Sequence, residues 1–411
     1  MTRKRLLDRF LRYVQVDTTA GVPGPEYPSS KGQLALGKQL ADEMRAFGIA
    51  NAEQDEYGII YAEIPGNVAN APTVAFCAHL DTSPETTGAG VKPQVIHNYE
   101  GGDVILPGAP SQVIRESENP ELADLHGCTL VTTDGTTLLG GDDKAGIAVI
   151  LEMAERLLAD PQIPHGPVKI LLTCDEEIGH GVDHVDLKRV AADVCYTLDG
   201  GGADEINAET FSADMAVVSV HGVNIHPSIA KGRMVNALKA AGMFLDRLPH
   251  DMMSPETTAG RDGFVHPVQV KGGVAEVEIQ FILRSFDTSE LSTQADLLRS
   301  TARSVEADLP GCKLAVVTSP QYRNMREGLE KEPRALAYAI EAHQRLSRTP
   351  KQEVIRGGTD GSILTEQGLP TPNLSTGQHN PHSPLEWACL DEMEKAVELV
   401  ISLLGVWAEK K

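Results

Sequence analysis

Apolar runs in the first half of the chain constrain the fold most strongly. Residues 168–174 and 194–198 are almost continuously apolar, and 73–78 is another predicted strand. Strands buried on both faces have such runs, whereas strands with one face in water alternate. Between them, Ile147, Ile150 and Leu151 begin one apolar stripe of a predicted helix over 143–159. This alternation predicts a doubly wound α/β domain.

The pattern changes near residue 209. Glu276 and Glu278 alternate with Val277 and Ile279, which predicts a half-buried antiparallel strand. Strands and helices follow in the order of a split βαβ, ferredoxin-like unit. Because 411 residues are too many for one ordinary core, two domains are expected. We predict a discontinuous catalytic domain, 1–208 and 320–411, with an inserted α+β lid domain at 209–319.

Charge and hydropathy exclude some classes of protein. The formal net charge of −22 argues against binding to nucleic acid, whose phosphates it would repel, and against anionic membrane surfaces. No stretch approaches the roughly 20 apolar residues of a membrane span. The basic start of the chain leads into a predicted amphipathic helix rather than an apolar signal core. These features predict a cytoplasmic protein with no membrane partner.

Five residues that can bind metal ions lie in separate short motifs. They are His79, Asp142, Glu177, Asp199 and His382. Three follow predicted strands, one precedes a predicted helix, and the last lies in the loop before the final helix. Because ligands gather beyond the carboxyl ends of strands in open α/β sheets, the elements that carry the first four are expected to direct them into one crevice. Two imidazoles and three carboxylates can hold two zinc-like ions if one carboxylate bridges them.

Each motif taken singly also has an ordinary structural interpretation. His79 and Asp81 could form a capped turn, and Asp142 could be a helix N-cap. The pair Glu176-Glu177 could be an exposed acidic turn. Their joint occurrence in this order favours a metal site. A ligating histidine usually has a carboxylate partner, as Asp81 would be, and one glutamate of the pair could bind metal while the other accepts a proton from water.

Longer motifs carry a resemblance to a known family. They are Val-Lys-Pro-Gln (91–94), Thr-Thr-Asp-Gly (132–135), Leu-Leu-Gly (138–140), His-Gly-Val-Asn-Ile-His-Pro (221–227) and Arg-Gly-Gly-Thr-Asp-Gly (356–361). With these, the chain resembles the peptidase T family of tripeptide aminopeptidases, among the co-catalytic di-zinc exopeptidases and deacylases. The likeness runs nearly end to end. Near the last ligand, Asn380, His382 and Glu386 agree with the family pattern, whereas His379 and 383–385 differ.

The resemblance implies a division of the metal ligands. Asp142 would bridge two zinc ions. His79 and Asp199 would complete one site, and Glu177 with His382 would complete the other.

The resemblance also implies roles in catalysis and substrate binding. Asp81 would orient His79, and Glu176 would be the general base. His226 of the lid would help to polarise the scissile carbonyl, from its own or a partner subunit. Arg284 and Arg356 are candidates for binding the carboxylate of the peptide, as arginine can do with two hydrogen bonds.

The expected activity is removal of the N-terminal residue from tripeptides. A carboxypeptidase or an N-acyl amino-acid deacylase on the same scaffold is the nearest alternative. A non-catalytic metal-binding protein is an alternative of another class, and Asp81 and Glu176 speak against it because neither is needed to hold metal. Small peptides are the expected partners. The outer sheet edge of the lid could also pair in a homodimer.

Overall fold

The chain forms two compact units. The computed structural model describes residues 2–410, so Met1 and Lys411, the outer ends of the predicted catalytic segments, lie outside the described residues. The first unit contains the chain up to Ala208, then Glu327–Glu353, and then the chain from Thr359 onward. The second unit contains Glu209–Arg326 and Val354–Gly358. The domain boundaries given above stay predictions.

Strands and helices alternate along much of the chain. The strands are β1 (Glu53–Gln54), β2 (Ile60–Ile64), β3 (Val74–His79), β4 (Gln94–Ile96), β5 (Val104–Ile105), β6 (Val113–Ile114), β7 (Leu130–Thr132), β8 (Val168–Thr173), β9 (Val194–Gly201), β10 (Glu205–Thr210), β11 (Ser212–His221), β12 (Phe264–Gly272), β13 (Glu276–Ser285), β14 (Lys313–Tyr322), β15 (Lys351–Ile355), β16 (Asn373–His379) and β17 (Trp387–Cys389). The α-helices are α1 (Thr2–Val14), α2 (Lys31–Ala46), α3 (Gly141–Ala159), α4 (Leu187–Val190), α5 (Ala237–Asp246), α6 (Glu290–Asp308), α7 (Arg326–Leu329), α8 (Arg334–Arg345), α9 (Asp360–Glu366) and α10 (Leu390–Glu409). Within residues 2–410, no helix is long and apolar enough to cross a membrane.

A mixed sheet forms the centre of the first unit. Its strand order is β1-β2-β8-β3-β9-β16-β17-β7-β4, with β10 beside β16. Strands β8, β3, β9 and β16 are neighbours and run parallel to one another. Their outer neighbours β2 and β17 run antiparallel. Four adjacent strands therefore end at the same edge of the sheet, which is where ligands bind in open α/β folds.

Both faces of this sheet are covered. Helices α3 and α10 pack against its parallel strands. A separate apolar cluster contains Cys77, Leu171 and Cys195 from the strands together with Leu364 of α9. Because both faces are covered at its centre, every residue of β3 is buried. This explains the continuous apolar runs in the sequence and confirms the predicted doubly wound α/β class.

The second unit is a four-stranded antiparallel sheet with two helices. Its strand order is β12-β13-β11-β14. Val277, Ile279, Phe281 and Leu283 of β13 are buried in one cluster with Phe244 of α5. Helix α6 also packs on the sheet. The element order β-α-β-β-α-β is that of the predicted split βαβ plan.

The connection over 84–126 is more ordered than the sequence predicts. It contains β4, which pairs with β7, and the small β5–β6 ladder. Leu106, Ile114 and Leu122 are buried there in one apolar cluster with Trp387. Strands this short produce little periodicity, so composition alone indicates a loop.

Buried ion pairs join α1 to α3. Glu152 of α3 has no exposed surface, and its carboxylate accepts hydrogen bonds from Arg5 (2.7 and 2.8 Å) and Arg9 (3.1 Å) of α1 and from Arg156 (3.0 Å). Arg9 is itself only 3% exposed and also binds Glu43 of α2 at 2.7 Å. Removing one partner from such a set leaves buried charge without compensation.

We expect Glu152→Leu to destabilise the protein by about 3 kcal/mol, because three arginines lose their shared carboxylate. The shift in the urea unfolding midpoint measures this effect. Asp42→Asn is the matched control, since Asp42 pairs with Lys38 on the exposed surface and its replacement is expected to leave the midpoint unchanged. Equal midpoints for both variants would contradict the proposed importance of the network.

Candidate metal centre

The structure brings the five predicted ligands together at the open edge of the first unit's sheet. His79 is the last residue of β3, and Glu177 lies in a 3-10 turn that follows β8. Asp199 is near the end of β9, and His382 lies three residues beyond β16. Asp142 is at the start of α3, where its backbone is not helical (φ −79°, ψ 107°). Parallel neighbouring strands therefore supply most of the set.

The carboxylate of Asp142 lies between the two histidines. Its Oδ1 is 2.9 Å from Nε2 of His79, and its Oδ2 is 3.4 Å from Nε2 of His382. His79 Nε2 is also 3.8 Å from Oδ1 of Asp199. His382 Nε2 is 2.8 Å from Oε2 of Glu177. Each oxygen of Asp142 thus faces a different histidine–carboxylate pair.

Asp81 supports two parts of this arrangement from a fully buried position. Its two carboxylate oxygens accept hydrogen bonds from the backbone N–H groups of Glu176 (3.1 Å) and Glu177 (3.0 Å). Nδ1 of His79 lies 3.4 Å from Oδ1 of Asp81 and 3.1 Å from its carbonyl oxygen. The imidazole is therefore oriented with Nε2 toward Asp142, as a second group commonly orients a ligating histidine.

The histidines are surrounded by groups that favour positive charge. Hydrogen bonds with Asp142 and Glu177 raise the pKa of His382 to about 11. Burial opposes protonation of His79, but Asp142 and Asp81 raise its pKa well above the ordinary value. Burial also opposes ionisation of Asp142, yet His382 and His79 hold its pKa below the ordinary range. The surroundings stabilise cationic charge.

The carboxyl groups of Glu176, Glu177 and Asp199 have raised pKa values. Burial is the main cause for Glu176 and Asp199, whose pKa values lie well above the ordinary range, and the charge of Asp142 adds to it for Asp199. Burial and then Asp142 also raise the pKa of Glu177. Several acidic groups are thus held close together where ionisation is costly, an arrangement that a bound cation would relieve.

The donor set fits divalent metal ions. Among the described residues, His79, Asp142 and Glu177 form one group whose donor atoms all lie within 4.8 Å of one another, and His79, Asp143 and Asp199 form another. Oε1 of Glu177 is buried and has no hydrogen-bond partner in the described part of the chain. Mixed imidazole and carboxylate ligands suit zinc and related ions. An unsatisfied buried carboxylate oxygen beside them is the donor that such an ion would use.

Asp143 and Gln378 are not among the site residues predicted from the sequence. Oδ2 of Asp143 accepts a hydrogen bond from the backbone N–H of His79 at 3.2 Å. Nε2 of Gln378 donates to Oδ1 of Asp199 at 3.2 Å. Asp143 could have been suspected because a second acidic residue adjoins Asp142, as in the Glu176-Glu177 pair. Nothing in the local pattern around Gln378 indicates its role.

The predicted substrate-binding residues belong to the second unit. Nδ1 of His226 lies 2.7 Å from Oγ of Ser228. Arg284 donates to Oε1 of Gln321 at 3.0 Å and to the carbonyl of Leu283 at 3.0 Å.

Arg356 also makes its contacts within the second unit. It donates to the carbonyls of Gly260 (2.8 Å) and Asp262 (2.9 Å), and its guanidinium lies over the rings of Phe211 and Phe264. The roles of His226, Arg284 and Arg356 in binding substrate stay predictions.

Comparison with known proteins identifies the family. The model of peptidase family M20/M25/M40 matches residues 134–405. Peptidase T of Caldanaerobacter subterraneus subsp. tengcongensis is 41% identical over 407 residues, which cover 99% of both chains. A tripeptidase from Staphylococcus aureus has the same fold, with a TM-score of 0.78 at 22% identity over 99% of both chains. A dinuclear metal binding peptidase of the M20 family from Bacillus subtilis, 16% identical over 100% of this chain and 99% of its own, gives a TM-score of 0.66. The chain belongs to peptidase family M20/M25/M40, a family of metal-dependent peptidases.

Proposed function

We propose that the protein is a metallo-aminopeptidase that hydrolyses the N-terminal residue from tripeptides and holds two zinc ions. One observation carries the proposal. The two oxygens of Asp142 face separate histidine–carboxylate pairs, His79 with Asp199 and His382 with Glu177. A carboxylate placed in this way is the ligand that two neighbouring ions would share. Full-length similarity to proteins named Peptidase T supports the choice of substrate.

Glu176 is the proposed general base. Two bound divalent ions would lower the pKa of water and polarise a carbonyl oxygen. The Glu176 carboxylate accepts the proton of the attacking water and then donates it to the amine of the leaving dipeptide. Burial raises the pKa of Glu176 well above its ordinary value, and a raised pKa makes the carboxylate a stronger base. Its backbone N–H is bound to Asp81, so its position depends on the same carboxylate that orients His79.

Residues of the second unit are proposed to bind the peptide. His226 would contact the scissile carbonyl, and Arg284 or Arg356 would pair with the carboxylate at the far end. Both arginines already donate to backbone carbonyls of their own unit. Either one would therefore have to exchange one of these bonds for a bond to the substrate.

Carboxypeptidase and N-acyl amino-acid deacylase activities use the same scaffold but are not favoured, because the full-length relatives are named Peptidase T. A non-catalytic metal-binding role is not favoured either. Asp81 is buried and accepts a hydrogen bond from the backbone N–H of Glu176 beside the ligands, although neither residue is needed to hold an ion. A cytoplasmic location and a homodimer formed through the second unit stay predictions.

Zinc is expected to raise the unfolding temperature of the wild-type protein, because it compensates carboxylates whose ionisation is costly. At a free zinc concentration of about 100 Kd, the stabilisation is about 2.7 kcal/mol. Asp199→Asn keeps the shape of the side chain and removes one charge, so the metal-free variant should be at least as stable as the wild type but gain less from zinc. Calorimetry with and without chelator measures both quantities, and equal gains would exclude Asp199 as a ligand.

Glu176→Gln is expected to lower kcat by 10²- to 10⁴-fold, since the amide cannot accept a proton, while zinc binding is retained. Steady-state kinetics and a metal titration on the same sample test this. Asp183→Asn is the control: Asp183 is an exposed carboxylate close by that pairs with His180, and its loss should leave kcat unchanged. Full activity of metal-loaded Glu176→Gln would rule out this base.

A tripeptide of three different residues should yield its N-terminal amino acid and the C-terminal dipeptide. N-acetylation removes the free amino group that an aminopeptidase recognises, so the acetylated peptide should be cleaved far more slowly. Mass spectrometry of the products distinguishes the two ends. Release of the C-terminal residue would indicate a carboxypeptidase, and equal or faster cleavage of the acetylated peptide would indicate a deacylase.

A further inference from the structure

Glu386 is a buried carboxylate near the proposed metal site that is not one of the proposed ligands. It lies four residues after His382 and directly before β17, and it is 1% exposed. A charged side chain at such a position requires specific partners, because burial without them is strongly unfavourable. Its partners belong to a segment more than 240 residues earlier in the chain.

Three backbone N–H groups of one turn point at this carboxylate. Oε2 accepts hydrogen bonds from Leu139 (2.7 Å) and Gly140 (2.8 Å), and Oε1 accepts one from Asp142 (3.0 Å). Gly140 has a φ of +79°, a left-handed conformation that favours glycine. Successive N–H groups in such a turn form a concave anion-binding arrangement. Here the anion is supplied by the chain itself.

The contact is made at the backbone of Asp142. The backbone N–H of Asp142 is at the start of α3, where no preceding turn of helix supplies an acceptor. Because the φ and ψ values of Asp142 are not helical, regular helix geometry does not set the direction of its side chain. The hydrogen bond to Glu386 anchors this residue at its own backbone.

Glu386 is also connected to His382, through a short hydrogen-bonded turn. The N–H of Glu386 donates to the carbonyl of Ser383 at 3.1 Å, and the N–H of Leu385 donates to Oγ of Ser383 at 3.0 Å. A short hydrogen-bonded turn therefore joins Glu386 to the residue that follows His382. Through it, one carboxylate links the segment carrying Asp142 with the segment carrying His382.

We propose that Glu386 is a positioning residue of the metal centre: it holds the backbone of Asp142 at a set separation from His382. The inference rests on the proposed function, since this separation matters only if the two side chains bind neighbouring ions. Glu386 itself touches neither of the two histidines and none of the other proposed ligand side chains through any recorded hydrogen bond or ion pair among residues 2–410. Its effect is exerted through the turn at 139–142.

Glu386→Gln tests the proposal with little change in shape. The glutamine oxygen can still accept from Leu139 and Gly140, but its NH₂ group then faces the N–H of Asp142, which loses its acceptor. We expect zinc binding about tenfold weaker by calorimetric titration of the metal-free protein, as is usual when a group supporting a ligand is changed. At saturating zinc, kcat should fall while KM for a tripeptide stays within about twofold, in the pattern expected when only the transition state is affected.

Two further variants separate positioning from general stability. Glu306→Ala removes another carboxylate that accepts a backbone N–H, from Leu314 at 2.8 Å, in α6 of the second unit. It should lower the unfolding temperature and leave zinc affinity unchanged. Gly141→Ala places a Cβ 3.1 Å from Oε1 of Glu386 and so disturbs the same contact from the opposite side. It should weaken zinc binding. If Glu386→Gln does not fold, Gly141→Ala alone tests whether this contact affects zinc affinity.

The outcomes are distinct. If wild-type protein binds zinc and cleaves tripeptides, but Glu386→Gln and Gly141→Ala bind zinc as tightly as wild type, Glu386 is only a structural residue and the positioning role is wrong. If the wild type neither binds zinc nor cleaves tripeptides, the proposed function fails and the positioning role fails with it. Weaker zinc binding in both Glu386→Gln and Gly141→Ala, with unchanged affinity in Glu306→Ala, supports the proposal.

Discussion

The carboxylate of Asp142 faces an imidazole from each of its oxygens, and the rest of the candidate site is arranged around that contact. Oδ1 lies 2.9 Å from His79, and Oδ2 lies 3.4 Å from His382. In a buried environment such charges interact far more strongly than in water, so leaving one of them without its partner would be costly. Three segments must therefore lie within a few ångströms of the Asp142 side chain. They are the end of β3, the start of α3 and the loop after β16.

Strand order makes this convergence possible. Along the chain, the residues that meet are separated by tens to hundreds of positions, but β8, β3, β9 and β16 are immediate neighbours in the sheet. Their parallel direction places Glu177, His79, Asp199 and His382 at one edge. Helix α3 adds Asp142 from the same side, since its first residues lie beside His79. The second unit has its own core and its own sheet.

Several features were predictable from the sequence, for identifiable reasons. Burial on both faces produced the continuous apolar runs of β3, β8 and β9, and the strand ends indicated where polar ligands would collect. The alternation in β13 revealed a sheet with one covered face. By contrast, Asp143 and Gln378 contact candidate ligands through hydrogen bonds to residues at least 64 positions away. Arg356 similarly binds the carbonyls of Gly260 and Asp262. Isolated long-range contacts of this kind produce no periodic pattern in the sequence, so they cannot be predicted from it.

The sequence by itself determined the main strands and helices, the candidate ligands and the family to which the chain belongs, because strand and helix periods and short motifs are local properties. Only the tertiary structure decided which oxygen of Asp142 faces which histidine, in which direction the surroundings shift the pKa values of the neighbouring groups, and that Glu386 connects two distant loops. Distances and desolvation at this edge depend on strand order and turn geometry. Strand order and turn geometry arise when the whole sheet packs together, so no single segment of the sequence encodes them.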